Sequence, residues 1–476
     1  MNLRTTVFLG VVCALCGLQP GYSCAQTDRY ELGLRLRACE DAWEQNARTQ
    51  SRQGAIPHVQ NAVTAFFTGQ FSAAARALDT ATSVLISGAE PDAQQLWATS
   101  LSLLPEARFV DASTPALRYT LRATYPVGPV PRRAHVRITL SLRPSDVRPV
   151  HQHVRAITRL PVQEQIQLPP LQEADYTLRY QVLVNDRILA QRALTLSAAP
   201  RLKQRLQALR QAEFPTTHTD GATVQALTRL LTGLAERQSL ETDYPAARLL
   251  AEAEDALQNV KKNIPYYGQK RSGQFWLTLL HHRSAIPARL LAPETVRKGQ
   301  PLPLVIALHG AGGTENLFFD GYGRGKIVRL CQQRGWLLVA PRALAGFAPV
   351  SLPDLIEAVH QLYPVDSKRI FLIGHSMGAM QAFAAVQQHP DRFAAVAAIS
   401  GGGRITPAEA LKKIPFFLAA GAQDFSLLAT RQAHRNLQQS GVQHITYREY
   451  PDCEHLLAVQ VALPDAFAFF DAHARP

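Results

Sequence analysis

Cysteine is scarce in this chain. Six stand in 476 residues, and three of these, Cys13, Cys16 and Cys24, crowd into the N-terminal segment. Cys39, Cys331 and Cys453 are left for the body of the protein. Three thiols make no disulfide framework, so the fold must rest on its apolar core, although one pair could form after export. Zinc-ligand spacing is missing too. His281-His282 and His151-Gln152-His153 lie in arginine-rich, strand-like text and read as solvated. The expectation is a protein with no metal and no organic cofactor. Positive charge is in excess, a formal +13, but it is scattered and forms no like-charged block. That distribution speaks for solubility and attraction to acidic surfaces, and against nucleic acid as a partner. No apolar run is long enough for a comfortable membrane span. What is present, 46% hydrophobic and 18% charged residues, suits about two to four folded domains.

The N-terminus reads as an export signal over residues 1–25. Arg4 is its charged start, Thr5 to Leu18 its short apolar stretch, and Ser23-Cys24-Ala25 offers small residues for cleavage before Gln26. The expected location is periplasmic or extracellular. An uncleaved short anchor and a lipid-modified Cys24 stay open as alternatives, the second weakened by Gly21-Tyr22, a poor lipobox.

Residues 26–109 read as a helical module. Asn61 to Leu78 has apolar residues at helical spacing around Gly69 and is similar to one helix–turn–helix unit of the tetratricopeptide type, without a repeated array. Over 110–199 the period changes to two. Leu117–Tyr125, His135–Leu142, Gln163–Leu168, Tyr176–Val184 and Ile188–Leu196 alternate, prolines separate most of them, and Asn185-Asp186 suits a hairpin turn. This is the pattern of a β-sandwich, immunoglobulin-like in outline, though without a Cys or Trp core signature. Residues 200–265 read as a helical linker region, with Ala246 to Val260 rich in Ala, Leu and Glu. From 266 to 476 strand and helix alternate. Leu304–Leu308, Trp336–Ala340, Ile370–Ile373, Ala394–Ile399, Phe416–Ala420 and Ile445–Tyr450 are the strands of a doubly wound, mostly parallel sheet.

The chemistry gathers at the ends of these strands. Gly374-His375-Ser376-Met377-Gly378 sits between a β-forming run and a helix-forming one, the frame that makes G-x-S-x-G a nucleophile elbow. His309-Gly310-Ala311-Gly312-Gly313 follows the first parallel strand, and its glycines can turn backbone N–H groups toward an oxyanion. Gly421-Ala422-Gln423-Asp424 and Asp452-Cys453-Glu454-His455 follow two later strands. Ser376, Asp424 and His455 thus occur in the order nucleophile, acid, base, with Met377 and Ala311 as oxyanion donors and Gly312 as the alternative to Ala311. Asp452 is a rival acid. His309 reads as a brace of its loop, His375 as packing near the serine, and His434 and His444 as solvated.

On these motifs the segment from about 268 to 472 resembles an α/β-hydrolase. It is most similar to secreted serine carboxylesterases and predicted peptidases near dienelactone hydrolases, to feruloyl and polyhydroxybutyrate-type esterases, and to prolyl-oligopeptidase catalytic domains. The run Tyr363-Pro364-Val365-Asp366-Ser367-Lys368-Arg369-Ile370 into the elbow is typical of that group, whereas Ala379 stands where many relatives have a further glycine. The resemblance implies a serine esterase acting through an acyl-enzyme on small-molecule or polymer-linked esters. A peptidase and a non-catalytic binding protein on the same scaffold are the other readings. The short segment between Ile399 and Phe416 leaves no room for a lid, and the N-terminal domains are candidates for contact with a surface or carbohydrate.

Overall fold

A computed structural model of the protein describes residues 22–46, 48–236, 242–342 and 350–473. The expected export segment lies almost wholly outside them. The chain divides into two compact units, Met1–Glu213 with Leu227–Asp255, and Phe214–Ala226 with Ala256–Pro476. No helix among the described residues is long and apolar enough to cross a membrane.

Among the described residues the first unit opens with four helices, α1 (Tyr22–Gln45), α2 (Thr49–Phe67), α3 (Phe71–Ser87) and α4 (Ala93–Ser100). Gly69, at φ 72°, turns the chain between α2 and α3, and Gly88, at φ 78°, ends α3 in the left-handed region that glycine adopts without strain. Asp92 caps α4 by accepting the Gln95 amide at 2.8 Å. Eight strands follow: β1 (Leu101–Pro105), β2 (Phe109–Asp111), β3 (Ala116–Ala123), β4 (Ala134–Ser141), β5 (His151–Ala156), β6 (Val162–Gln167), β7 (Ala174–Val184) and β8 (Arg187–Ala199). They form a three-stranded sheet, β1-β3-β6, and a five-stranded one, β2-β8-β7-β4-β5. Leu103, Leu121 and Ile166 of the first share one buried cluster with Val136, Leu178 and Leu196 of the second. Asn185 and Asp186 have φ 49° and 63°, the twin left-handed residues of a tight hairpin between β7 and β8.

Two expectations need correction. Strand β1 lies inside the stretch read as helical to 109, because Leu101 and Leu103 pair with Ala123 and Leu121 of β3 and bury their side chains. Residues 200–265 hold α5 (Leu202–Gln211), α6 (Thr219–Ala235) and α7 (Ala246–Lys261), yet they are no linker. Leu202, Leu206 and Leu209 are buried, and the chain from 214 to 226 belongs to the second unit. There the Thr219 and Thr223 hydroxyls accept the Leu280 and Thr278 amides at 3.1 and 3.0 Å.

The second unit is built on one eight-stranded sheet. Strands β9 (Gly273–His281) and β10 (Ser284–Ala292) form the antiparallel edge. Then come β11 (Leu302–Leu308), helices α8 (Leu317–Asp320) and α9 (Tyr322–Arg334), β12 (Leu337–Pro341), α10 (Leu352–Leu362), β13 (Val365–His375) and α11 (Met377–Gln388). The chain finishes with β14 (Ala395–Ile399), α12 (Glu409–Lys412), β15 (Phe416–Gly421), α13 (Leu427–Gln439), β16 (Ile445–Tyr450) and α14 (Leu457–Asp471). The spatial order is β16-β15-β14-β13-β11-β12-β10-β9, with β11 to β16 in parallel. After β12 the chain crosses back over β11 and then builds outward, so the reversal of strand order falls at β11 and β13. Ligands of open α/β sheets bind outside the carboxyl ends of strands at such a switch point. Trp336, Phe371, Phe467 and Phe470 stack beneath, with Phe371 and Phe470 4.7 Å apart, and hold the sheet's centre rigid.

Candidate active site

Ser376 stands between β13 and α11 with φ 55° and ψ −114°. A non-glycine residue in that region is strained, and the surroundings must hold it there. Its amide donates to Ile399 O at 3.0 Å, and its carbonyl accepts from Ala379 and Met380. The flanking glycines permit the turn. A Cβ on Gly374 would lie 2.2 Å from Gly378 O, and one on Gly378 would lie 2.0 Å from Leu308 O. Ala379, the departure noted in the sequence, is fully buried and is matched by Gly401, whose added Cβ would come within 3.1 Å of the Ala379 Cβ.

The loop after β11 closes on the serine. A Cβ on Gly310 would meet His375 Nδ1 at 2.9 Å and the Ser376 Cβ at 3.3 Å. Ala311 therefore follows a residue in direct contact with the elbow, while Gly312, at φ 79°, forms the exposed tip. His309 is buried and donates from Nδ1 to Gly310 O at 2.9 Å, bracing the loop. Met377 is the first residue of α11, where free helix N–H groups and the helix dipole face an anion.

His455 is buried, and its Nδ1 stands 2.9 Å from Asp424 Oδ1. That oxygen also accepts the Ser426 amide at 2.7 Å and its hydroxyl at 2.8 Å. Burial alone would raise the Asp424 carboxyl, but the His455 hydrogen bond and charge, the Ser400 hydroxyl and the Ser426 amide outweigh it and bring it down to about 2. Asp424 Oδ2 and Ser400 Oγ are both buried with no partner inside hydrogen-bond geometry, although the hydroxyl still lowers the carboxyl. Ser400 and Asp424 follow the neighbouring strands β14 and β15. Asp452 is half-buried on the loop before His455, whose Nδ1 is turned to Asp424.

Three buried groups carry weight that the motifs do not announce. His375, within the elbow, takes the Tyr322 hydroxyl at its Nδ1 (2.6 Å) and reaches His455 O from Nε2 (3.1 Å). Burial, and then the His455 charge, push its imidazole down to about 3, so it stays neutral. Tyr322 is fully buried, and its φ of 47° opens a left-handed run through Gly323, Arg324 and Gly325. The two glycines in Tyr-Gly-Arg-Gly were the available signal for it. Glu454 caps α14, accepting the Leu456 and Leu457 amides at 2.8 Å each, while its Oε2 is buried without a partner. Burial pushes its carboxyl up to about 7 against the pull of those amides and of His455. Phe425, about half exposed, lays its ring 4.2 Å from the His455 ring. His434 is half-buried on Tyr447 rather than solvated, because α13 packs that ring against β16, whereas His444 is exposed.

Comparison with known proteins gives one family match and several similar proteins. Residues 303–426 match the family model of the alpha/beta hydrolase fold. Over 133 residues, 26% of the chain, the sequence is 27% identical to a bifunctional acetylxylan esterase/xylanase of Neocallimastix patriciarum, and the match spans about a fifth of that protein's length, 19%. A solved thermostable esterase aligns with 79% of this chain and 100% of its own at 16% identity and a TM-score of 0.38. A ferulic acid esterase aligns with 42% and 96% at 19% identity and a TM-score of 0.36. Residues 303–426 thus match the alpha/beta hydrolase fold, and the C-terminal part of this chain carries the parallel sheet of an alpha/beta hydrolase domain.

Proposed function

We propose that this protein is an exported carboxylesterase whose catalytic triad is Ser376, His455 and Asp424. The observation that carries the reading is the strained Ser376, held at the carboxyl edge of the sheet beside a buried, hydrogen-bonded His455–Asp424 pair. A serine hydroxyl is too weak a nucleophile alone and needs such a base. Ser376 Oγ attacks the ester carbonyl carbon as its proton passes to His455 Nε2. Met377 N–H and Ala311 N–H, with Gly312 as the alternative donor, receive the developing oxyanion. Collapse breaks the bond to the alcohol, which leaves with the proton from His455. Water, deprotonated by His455, then attacks the acyl-enzyme, and the carboxylic acid departs as Ser376 regains its proton. Asp424, ionised far below neutral pH, holds Nδ1–H and stabilises the imidazolium. The acetylxylan esterase relative supports an acyl ester, including a polymer-linked one, as the substrate class. The reading extends to an immunoglobulin-like sandwich whose strands run from 101 to 199, supported by the shared core of its two sheets. Export rests on the Arg4 to Ala25 text.

The test is labelling by a fluorophosphonate probe together with turnover of soluble esters. Ser376→Ala is expected to abolish labelling and to lower kcat by about 10⁴- to 10⁶-fold with the fold unchanged by circular dichroism. Near wild-type turnover in that variant would sink the assignment.

A further inference from the structure

We propose that His375 and Tyr322 form a strut of fixed hydrogen-bond polarity that holds the backbone of His455, which makes both of them positioning residues for the base. The inference rests on the triad reading and extends it. His455 is gripped at two points. Asp424 Oδ1 holds its ring through Nδ1 at 2.9 Å, and His375 Nε2 holds its carbonyl at 3.1 Å. Only the second contact ties the loop after β16 to the elbow itself.

The polarity has one solution. A backbone carbonyl can only accept, so Nε2 of His375 must carry the hydrogen. Its Nδ1 is then a bare acceptor, and Tyr322 Oη, 2.6 Å away, must be the donor. The sequence of bonds is Tyr322 O–H to Nδ1, then Nε2–H to His455 O. A protonated His375 could only donate from Nδ1, and the Tyr322 hydroxyl would have to turn from donor to acceptor. The ring is 2% exposed, and the titratable groups about it besides Tyr322 are His455, Asp424 and His309. Two of the three discourage a second charge.

The surroundings are shaped for the strut. Gly310 approaches so near that a Cβ there would stand 2.9 Å from His375 Nδ1, which joins the oxyanion loop to the same ring. Gly325 lets α9 begin with Tyr322 turned inward, since a Cβ there would lie 2.1 Å from Phe319 O. The Tyr322 ring packs edge-on against Phe318 and His375, with centroids 4.9 and 5.2 Å away. One imidazole therefore ties together the loop after β11, the elbow and the base loop. Misplacement of a catalytic group by about 1 Å can cost about 10²-fold in rate, and that sets the expected scale.

The test uses the full chain and compares His375→Phe, His375→Gln and Tyr322→Phe. Phenylalanine keeps the ring but breaks both bonds, whereas glutamine can donate an amide hydrogen to His455 O and accept from Tyr322. His375→Phe should lower kcat by about 10²-fold with little change in KM, and glutamine should recover about tenfold of that. With the base loosened from Asp424, the acidic limb of the kcat/KM profile should move to lower pH in His375→Phe and Tyr322→Phe. The downfield proton resonance of His455 Nδ1–H, read whatever the turnover, should broaden in both. A folded His375→Phe with wild-type rate, limb and resonance would overturn the strut. Equal losses in the phenylalanine and glutamine variants, with limb and resonance unmoved, would reduce His375 to packing and overturn it as well. Should His375→Phe fail to fold, Tyr322→Phe decides on the same limb and resonance. A wild-type protein that is inert toward esters and probe would instead overturn the triad reading, and the resonance would still judge the strut.

Discussion

Each unit buries charged groups, and they are satisfied in opposite ways. In the first unit Arg35 is fully buried and uses all three guanidinium nitrogens. Nε donates to Asp79, Nη1 to Glu31, and Nη2 to the Thr99 and Ser100 carbonyls and the Ser102 and Thr124 hydroxyls. Burial alone would lower Arg35, but the Asp79 and Glu31 carboxylates outweigh it and hold it above its ordinary value. Arg192 adds a second cation on Asp79 at 2.7 Å. In the second unit Asp424 and Glu454 each keep one buried oxygen without a hydrogen bond, and their carboxyls are shifted in opposite directions. The full set of partners on Arg35 locks helices to strands. A set left open, with titrating groups driven apart, is the arrangement that can move a proton.

The largest effect that sharpens this contrast is at the acid. Asp424→Asn should present His455 with an amide, which favours the wrong tautomer, and kcat should fall by about 10⁴-fold. Asp452→Asn should change it by less than about threefold, since its carboxylate is not the group on His455 Nδ1. Both are measured as kcat at one pH with circular dichroism as control, and a reversed order would move the acid to Asp452.

The next test breaks the other side of the comparison. Arg35→Met leaves Glu31 and Asp79 buried without their shared cation and should cost about 3–5 kcal/mol of stability by urea unfolding. The folded fraction should keep its ester turnover. A large loss of kcat per folded molecule would show that the Arg35 network also serves the chemistry.

The smallest effect concerns Glu454. Its carboxyl sits near 7 in the fold and near the ordinary glutamate value when unfolded. The folded state therefore binds more protons between those values. The contribution of this group is fully present below about 4.5 and is lost as pH rises through 7. Glu454→Gln should gain about 2–3 kcal/mol on wild type between pH 4.5 and 8, read from denaturant midpoints at the two values. An unchanged difference would mean that the wild-type carboxyl ionises without penalty.

Much of the site is written along the chain. The glycines around Ser376 are there because any Cβ at 374 or 378 would collide with backbone, and that constraint is local. The parallel strands announce themselves as apolar runs because both faces of the sheet are covered. Asp424 and His455 lie on the loops after the adjacent strands β15 and β16, whose parallel pairing brings those loops together. The first unit is less legible. Leu101–Pro105 follows a helix directly, and five residues are too few for a period of two to stand out. The helices over 200–265 are plain in composition, but the share of them that joins each unit depends on partners far along the chain.

By itself, then, the sequence determined the elements and the residue types of the proposed site: a serine in a tight strand-to-helix turn, a glycine loop, and the proposed acid and base after later strands. The local backbone demands of turns, strands and helix starts dictate these. Only the tertiary structure decided which partners the buried polar atoms find. His375 is one letter of a motif until folding sets it between Tyr322 and the His455 carbonyl, residues 53 and 80 positions away. Glu454 is an ordinary acid until burial denies its second oxygen any partner. Desolvation and hydrogen-bond geometry are properties of the packed interior, and no spacing along a chain encodes them.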